Sequence, residues 1–356
     1  MSAPFVIHAN LDAEARWAGG SLPGAIATRV SYYAALLSVL APPDAEVEVW
    51  APAAIDPARL IDPASSIDAA RSSEPSRSSE GATGRPAMRV GTPPRADLAW
   101  ARADAKAAND RRLALSIARE LGSALPGAAV IETVDDLVAW TRDAPRTTAG
   151  ARWVTKAPWT TAGRDRCHGE GAPTVEQRTR ISRLVERFGA LVVEPWVDRV
   201  LDVGLCARID EFRPRLREGD GRDERAHGHE DFYVTLSDPH SLITDARGTF
   251  LGIDLAPPAL VPHEATQLGV TAREVGARLA AIGFRGPFAI DAFVYRDTSG
   301  ARRFHPLCEI NARHTFGHVA RAFAARGATR LGFGEPPAGA TVLVAPANDG
   351  ITAWIA

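Results

Sequence analysis

Apolar residues along the chain follow two rhythms. Over short stretches they alternate with polar residues or form unbroken runs, the patterns of half-buried and buried strands. Over longer stretches they recur every three or four residues, the pattern of an amphipathic helix. Phe5-Val-Ile-His8 and Glu46-Val-Glu-Val-Trp50 read as strands with a helix over 25–40 between them, which predicts a small α/β unit. A helix over 99–121 follows, then a strand over 127–132, a helix over 134–141, and a strand over 152–156 that runs into a loop over 157–163. Helix 174–188 leads to an apolar strand over 191–194, with further strands over 201–210 and 231–236. A helix over 272–282 precedes strands over 286–295 and 303–311, joined by a hairpin turn over 296–302. A helix over 318–325 and a hairpin pairing 341–344 with 351–355 around Asn348-Asp-Gly350 complete the pattern. Two stretches break both rhythms. Residues 62–95 are rich in Ser, Pro, Ala, Gly and Arg, which marks a flexible insert. Residues 213–230 are a mixed-charge run, which marks a solvated loop.

Composition narrows the classes. The chain has 356 residues, more than one ordinary core holds, so two or three lobes are expected. With 41 basic and 43 acidic residues the formal charge is −2, which argues against a polycationic nucleic-acid binder. Only Lys106 and Lys156 are lysine, and the other 39 basic residues are arginine. No apolar run reaches the ~18–20 residues of a membrane span. The opening residues lack the basic and apolar regions of a secretory signal. Cys167, Cys206 and Cys308 are scattered without a CxxC pair, which fits reduced thiols and a cytoplasmic location.

The strands over 286–295 and 303–311 carry the densest chemistry. Alternate residues of a strand share a face, so Glu309, Asn311 and Arg313 point one way and Asp291 can join them from the partner strand. Two carboxylates and an amide oxygen are hard ligands that suit Mg²⁺, and Arg313 could hold an anion beside it. Spacing alone fits an exposed hairpin with a polar outer face equally well; the apolar neighbours Ile290, Phe293, Leu307 and Ile310 favour a cleft. Lys156 ends an apolar strand before a Thr- and Gly-containing loop. It can reach a phosphate, or it can be an ordinary strand-end lysine; no P-loop pattern is present. Glu194-Pro-Trp-Val197 is either a linker between lobes or a connection that offers its backbone and Glu194 to a base edge. His314 and His318, or His227 and His229, suggest zinc by spacing, but neither an HExxH motif nor a cysteine pair completes a tetrahedral site. Cys206 and Cys308 sit in apolar strands as small hydrophobes, with Cys167 the more exposed thiol.

The order of these pieces resembles the ATP-grasp superfamily. It runs strand-Lys-Gly loop, helix, strand-Glu-Pro, then a helix leading to strand-Asp, hairpin and Glu-x-Asn-x-Arg, over roughly residues 110–330. The resemblance implies an α/β chain with α+β ATP-grasp lobes. It comprises an N-terminal Rossmann-like α/β domain over 1–108 that holds the insert, a small lobe over 109–195, a C-terminal lobe over 196–330 with the metal site, and a hairpin over 331–356. It implies ATP between the lobes, with Lys156, Thr160, Thr161 and Gly163 at its phosphates and Glu194, Trp196 and Val197 at adenine. It makes Asp291, Glu309 and Asn311 ligands of Mg²⁺, which Mn²⁺ can replace. Many relatives carry a second lysine at the start of the ATP-binding region; here Arg111 or Arg112 is the candidate substitute, with Lys106 on a helix nearby.

The activity so implied is ATP-dependent carboxylate–amine ligation through an acyl phosphate, releasing ADP and phosphate. Arg313 and Arg208 would orient the carboxylate or steady the phosphoryl oxygens. The expected partners are small-molecule acids and amines, such as amino acids or peptides, with no nucleic acid and no membrane. A phosphotransferase or a non-catalytic nucleotide binder on the same scaffold are the alternatives. The sequence sets no oligomeric state.

Overall fold

The structure is a computed structural model that describes residues 5–8, 17, 22–41, 47–61, 87–90, 103–143, 151–160, 165–211, 232–245 and 248–356. The N-terminal part contains β1 (Phe5–His8), α1 (Gly24–Ala35), β2 (Val47–Ala51) and β3 (Ala87–Val90). These strands form a parallel sheet in the order β1-β2-β3. The expectation of an insert over 62–95 is therefore corrected at its end: Ala87-Met-Arg-Val90 pairs in parallel with β2. Residues 62–86 and 91–95, and the charged run over 213–230, lie outside the described residues.

The helix expected over 99–121 is two helices, α2 (Ala103–Ala108) and α3 (Arg111–Glu120). The period is uninterrupted, but Asn109 and Asp110 offer the backbone side-chain partners that compete with a helix. Asp110 caps α3 by accepting the Arg112 N–H at 2.8 Å.

Next come β4 (Ala129–Ile131), α4 (Val134–Asp143), β5 (Arg152–Lys156), β6 (Arg166–Glu170), α5 (Val175–Phe188) and β7 (Leu191–Pro195). The four strands make an antiparallel sheet in the order β4-β7-β5-β6. Thr174 and Gln177 close a capping box at the start of α5, and Gly189 ends it at φ 78°, where a side chain would be strained. One face of this sheet packs Trp153, Leu191 and Val193 against Ile181, Leu184 and Phe188 of α5. Fully burying each such aliphatic or aromatic side chain contributes about 1.5–3 kcal/mol. Cys167 belongs to this core and is buried, contrary to its expected exposure, and burial pushes its thiol up.

The remainder is an eight-stranded sheet built from β8 (Asp198–Glu211), β9 (Phe232–Thr244), β10 (Phe250–Asp254), β11 (Gly286–Arg296), β12 (Arg302–Asn311), β13 (Arg330–Phe333), β14 (Thr341–Val344) and β15 (Ala353–Ile355). Its order is β12-β11-β8-β9-β10-β13-β15-β14. Helix α6 (Pro262–Ala281) packs Leu268, Ala272, Val275 and Leu279 with Val203, Leu205, Ala207 and Ile209 of β8. It starts ten residues before the expected helix, with Pro262 in its first turn, where a missing N–H costs nothing. Gly276 lets it approach β9 closely: a Cβ there would lie 2.7 Å from Val234. Strand β9 runs past its expected end through Pro239. The register against β8 shifts between Leu205 and Ala207, and the Ser237 hydroxyl accepts the Cys206 N–H at 3.2 Å. Helix α7 (Phe316–Ala324) joins the α1 region, β10 and β13–β15 in a second core. Helices and sheets are thus mixed, as the expected class requires. No helix among the described residues is long and apolar enough to cross a membrane.

Candidate functional site

The site is built on the hairpin β11–β12. Antiparallel pairing sets Asp291 directly opposite Glu309, and Ala289 opposite Asn311. The three polar side chains therefore share one face, and the Asn311 Nδ2 donates to Asp291 Oδ2 at 3.2 Å. Beyond Asp291 the register slips, so that Phe293 pairs with His305. Burial and the neighbouring Glu309 charge push the Asp291 carboxyl up to about 7, with Arg313 opposing. Burial also acts to raise Glu309, but the charges of Arg111, Arg166, Lys156 and Arg313 overcome it and hold that carboxyl below its ordinary value.

Those four cations come from four segments. Arg111 opens α3 and is buried. Its Nη2 donates to Glu309 Oε1 at 2.7 Å and to the Thr160 carbonyl at 2.9 Å; its Nη1 donates to the Ala157 carbonyl and to Thr160 Oγ1 at 2.7 and 2.8 Å. Of the two arginines considered as substitutes for a second lysine, it is Arg111 that reaches Glu309. Arg112 instead pairs with Asp110 and lies over the Trp159 ring, where Lys106 also sits 4.5 Å from the centroid. Arg166 faces Lys156 across β5–β6 and has no sequence motif to announce it.

Lys156 and Glu194 lie on the face of the small sheet opposite its α5 core, because Lys156 pairs with Val192 and Val154 with Glu194. Both are buried, and the Lys156 ammonium donates to the Glu194 carboxylate. Burial acts to raise Glu194, but the charge and hydrogen bond of Lys156 bring it below its ordinary value. The Glu194 side chain is thus engaged by the lysine. A crevice beside the pair is lined by Arg111, Leu115, His305 and Cys308, among others. The Cys308 sulfur lies 3.8 Å from the Lys156 ammonium. Burial drives the His305 imidazole down to about 4, so it is neutral, with Nδ1 2.9 Å from the Ser123 carbonyl oxygen.

The remaining expected residues divide. Trp196 donates its backbone N–H to the Arg152 carbonyl at 2.9 Å, and its ring packs edge-on against His168; Val197 is buried with Val192, Phe293 and Tyr295. Thr160 is buried under Arg111, whereas Thr161 and Gly163 lie outside the described residues. Arg313 reaches Asn109 at 3.1 Å, and its charge acts on both carboxylates. Arg208 is exposed and pairs with Asp210 at 2.6 Å rather than with a site carboxylate. His314 and His318 pack edge to face with ring centroids 5.4 Å apart, and the described residues contain no group of three or more His, Cys, Asp or Glu side chains that could hold a metal. His318 Nδ1 accepts the Thr315 N–H at the start of α7. Sequence reasoning missed Asn109, Arg166 and His305; only Asn109 had a signal, as a side chain that interrupts a helical period.

No family model and no curated protein matches the chain. Solved structures do. An N5-carboxyaminoimidazole synthetase from Staphylococcus aureus complexed with ADP is 14% identical, with 59% of this chain and 46% of that one covered and a TM-score of 0.39. A biotin carboxylase from Campylobacter jejuni in a β,γ-ATP complex is 13% identical, with 69% and 61% covered and a TM-score of 0.46. D-alanyl-alanine synthetase A from Vibrio cholerae is 12% identical, with 64% and 61% covered and a TM-score of 0.42. The match spans less than half the length of the first. These neighbours are ATP-grasp enzymes. At this level of likeness neither substrate nor activity passes from them to this chain.

Proposed function

We propose that the chain is an ATP-grasp enzyme that joins a carboxylate to an amine at the expense of ATP. The observation that carries this reading is the pairing of Asp291 with Glu309 beneath the charges of Arg111, Arg166, Lys156 and Arg313. Two carboxylates set side by side repel, and a divalent cation relieves that repulsion. With Asn311 beside them they offer the hard oxygen set that Mg²⁺ or Mn²⁺ takes. When bound, the metal neutralises phosphate charge during transfer.

The chain's own residues supply the rest. Lys156 would hold phosphate oxygens, with the Arg111 charge fixed beside Glu309, and the 194–197 connection would meet the adenine. Thr160, Thr161 and Gly163 belong to the stretch that would cover the phosphates and keep water out. Arg313 would orient the acid so that its oxygen attacks the γ-phosphorus, giving ADP and an acyl phosphate. An amine then displaces phosphate and leaves an amide. Arg208 would act at the rim of the acid site, beyond its Asp210 partner.

The test is a screen of ADP and phosphate release against amino acids and short peptides, singly and in pairs. Amide formation that needs both an acid and an amine is the expected result. A stable phosphorylated product without an amine would make the chain a phosphotransferase, and tight ATP binding with no release over the whole panel would make it a non-catalytic binder.

A further inference from the structure

At the break between α2 and α3, Asp110 caps the second helix and Asn109 reaches out of the break to the end of β12. Asn109 is 7% exposed, and both ends of its amide are used. Its Oδ1 accepts the backbone N–H of Ala312 at 2.9 Å and the Arg313 Nη1 at 3.1 Å. Its Nδ2 donates to the Ala105 carbonyl at 2.7 Å and lies 3.5 Å from the Ala312 carbonyl. A carboxamide suits this position because it accepts on one side and donates on the other. Two residues further on, Arg111 holds Glu309. The segment 109–111 therefore grips both ends of Glu309-Ile-Asn-Ala-Arg313, one by the guanidinium and the other by the amide.

We propose that Asn109 is a positioning residue. Its amide sets the turn after Asn311, and with it the Arg313 guanidinium, against the helix start that carries Arg111. The kinetic consequence rests on the ligase reading, and the structural one rests on geometry alone. Asn109 acts through Arg313, whereas Lys156 and the 194–197 connection belong to other strands. Its loss therefore lowers turnover and leaves nucleotide affinity nearly unchanged.

The test compares Asn109→Ala and Asn109→Asp with the wild type in the full chain. Asn109→Ala should lower kcat on the order of tenfold, the scale of a small misplacement at a reacting centre, with the KM for ATP within about threefold. Asn109→Asp keeps the acceptor for Ala312 and Arg313 but loses the donor to the Ala105 carbonyl, and should recover part of that loss. In an Arg313→Ala background, Asn109→Ala should add less than about twofold, because the two residues act as a unit. Unchanged kcat in Asn109→Ala, no recovery in Asn109→Asp, or a fully additive double variant would overturn the proposal. A wild type that turns over no acid–amine pair defeats the ligase reading alone. In that case crystal structures of the wild type and of Asn109→Asp and Asn109→Ser, which retain a polar side chain, decide the matter. Arg313 should stay in place with Asp and shift by about 1 Å or more with Ser, and an Arg313 unmoved in both overturns the positioning role.

Discussion

The Arg111 guanidinium meets the Glu309 carboxylate at 2.7 Å, although 198 residues separate them in the chain. This contact ties the first helix turn of α3 to the end of strand β12. It also leaves Glu309 charged beside an Asp291 that takes up a proton near neutrality.

Replacing either carboxylate by its amide should lower Mg²⁺-dependent ATP turnover about 100-fold or more, since charge rather than shape holds the cation. Asp291→Asn and Glu309→Gln should keep the circular dichroism of the wild type. Glu309→Gln leaves Arg111 facing a neutral group, at a cost of about 1–3 kcal/mol, read from a lower denaturant midpoint. Full turnover in either variant rejects these residues as metal ligands.

Lys156→Met should abolish measurable ATP binding by calorimetry. It also strands the buried Glu194 carboxylate, at a cost of about 3 kcal/mol or more. The double variant Lys156→Met, Glu194→Leu should regain stability without regaining nucleotide binding. If the single and double variants melt at the same temperature, the buried pair has no such role.

Gly204 stands opposite both Asp291 and His240, and a Cβ on it would lie 2.4 Å from the His240 ring. The ring has no room to retreat, because Gly317 closes it from α7, where a Cβ would come within 2.9 Å. Gly204→Ala should therefore cost about 1–3 kcal/mol by overpacking. Adding His240→Ala should return part of that loss in the same melting experiment. A Gly204→Ala chain as stable as the wild type would show that β8 and β9 part more easily than their pairing implies.

Acid should destabilise the fold through buried neutral imidazoles. Burial is the main cause at both positions and drives His240 down to about 3 and His305 down to about 4. The unfolded chain protonates these residues near their ordinary value of about 6.5. The folded chain therefore binds fewer protons, and stability falls as pH drops from about 6.5 toward 4, by about 1.4 kcal/mol per pH unit for each histidine. Denaturant midpoints measured across that range should show the slope, and His240→Gln should flatten it. An unchanged slope in the variant would mean that His240 is protonated in the fold.

The residues of the polar face were legible because strand alternation is strict: Asp291, Glu309 and Asn311 had to share a side once the hairpin paired. Their surroundings were not legible. Arg111 and Arg166 come to Glu309 from distant segments, and nothing in a period or a motif encodes that approach. The Asn109-Asp110 pair looked helical, but its side chains take over backbone hydrogen bonding, and β9 runs past its expected end because a register shift absorbs Pro239. The strands β6, β10 and β13 were missed because each is only four or five residues long and is flanked by turns.

The slip in the β11–β12 register divides one hairpin into two working ends. On the Asp291 side the paired residues are carboxylates; two positions along, the Phe293 and His305 rings meet at a tilt with centroids 4.9 Å apart, with Arg199 over the Phe293 ring. Strand geometry puts these ends about 7 Å apart. The hairpin is a ruler with a polar mark and a sealed mark, and the backbone rather than side-chain motion fixes the spacing between them.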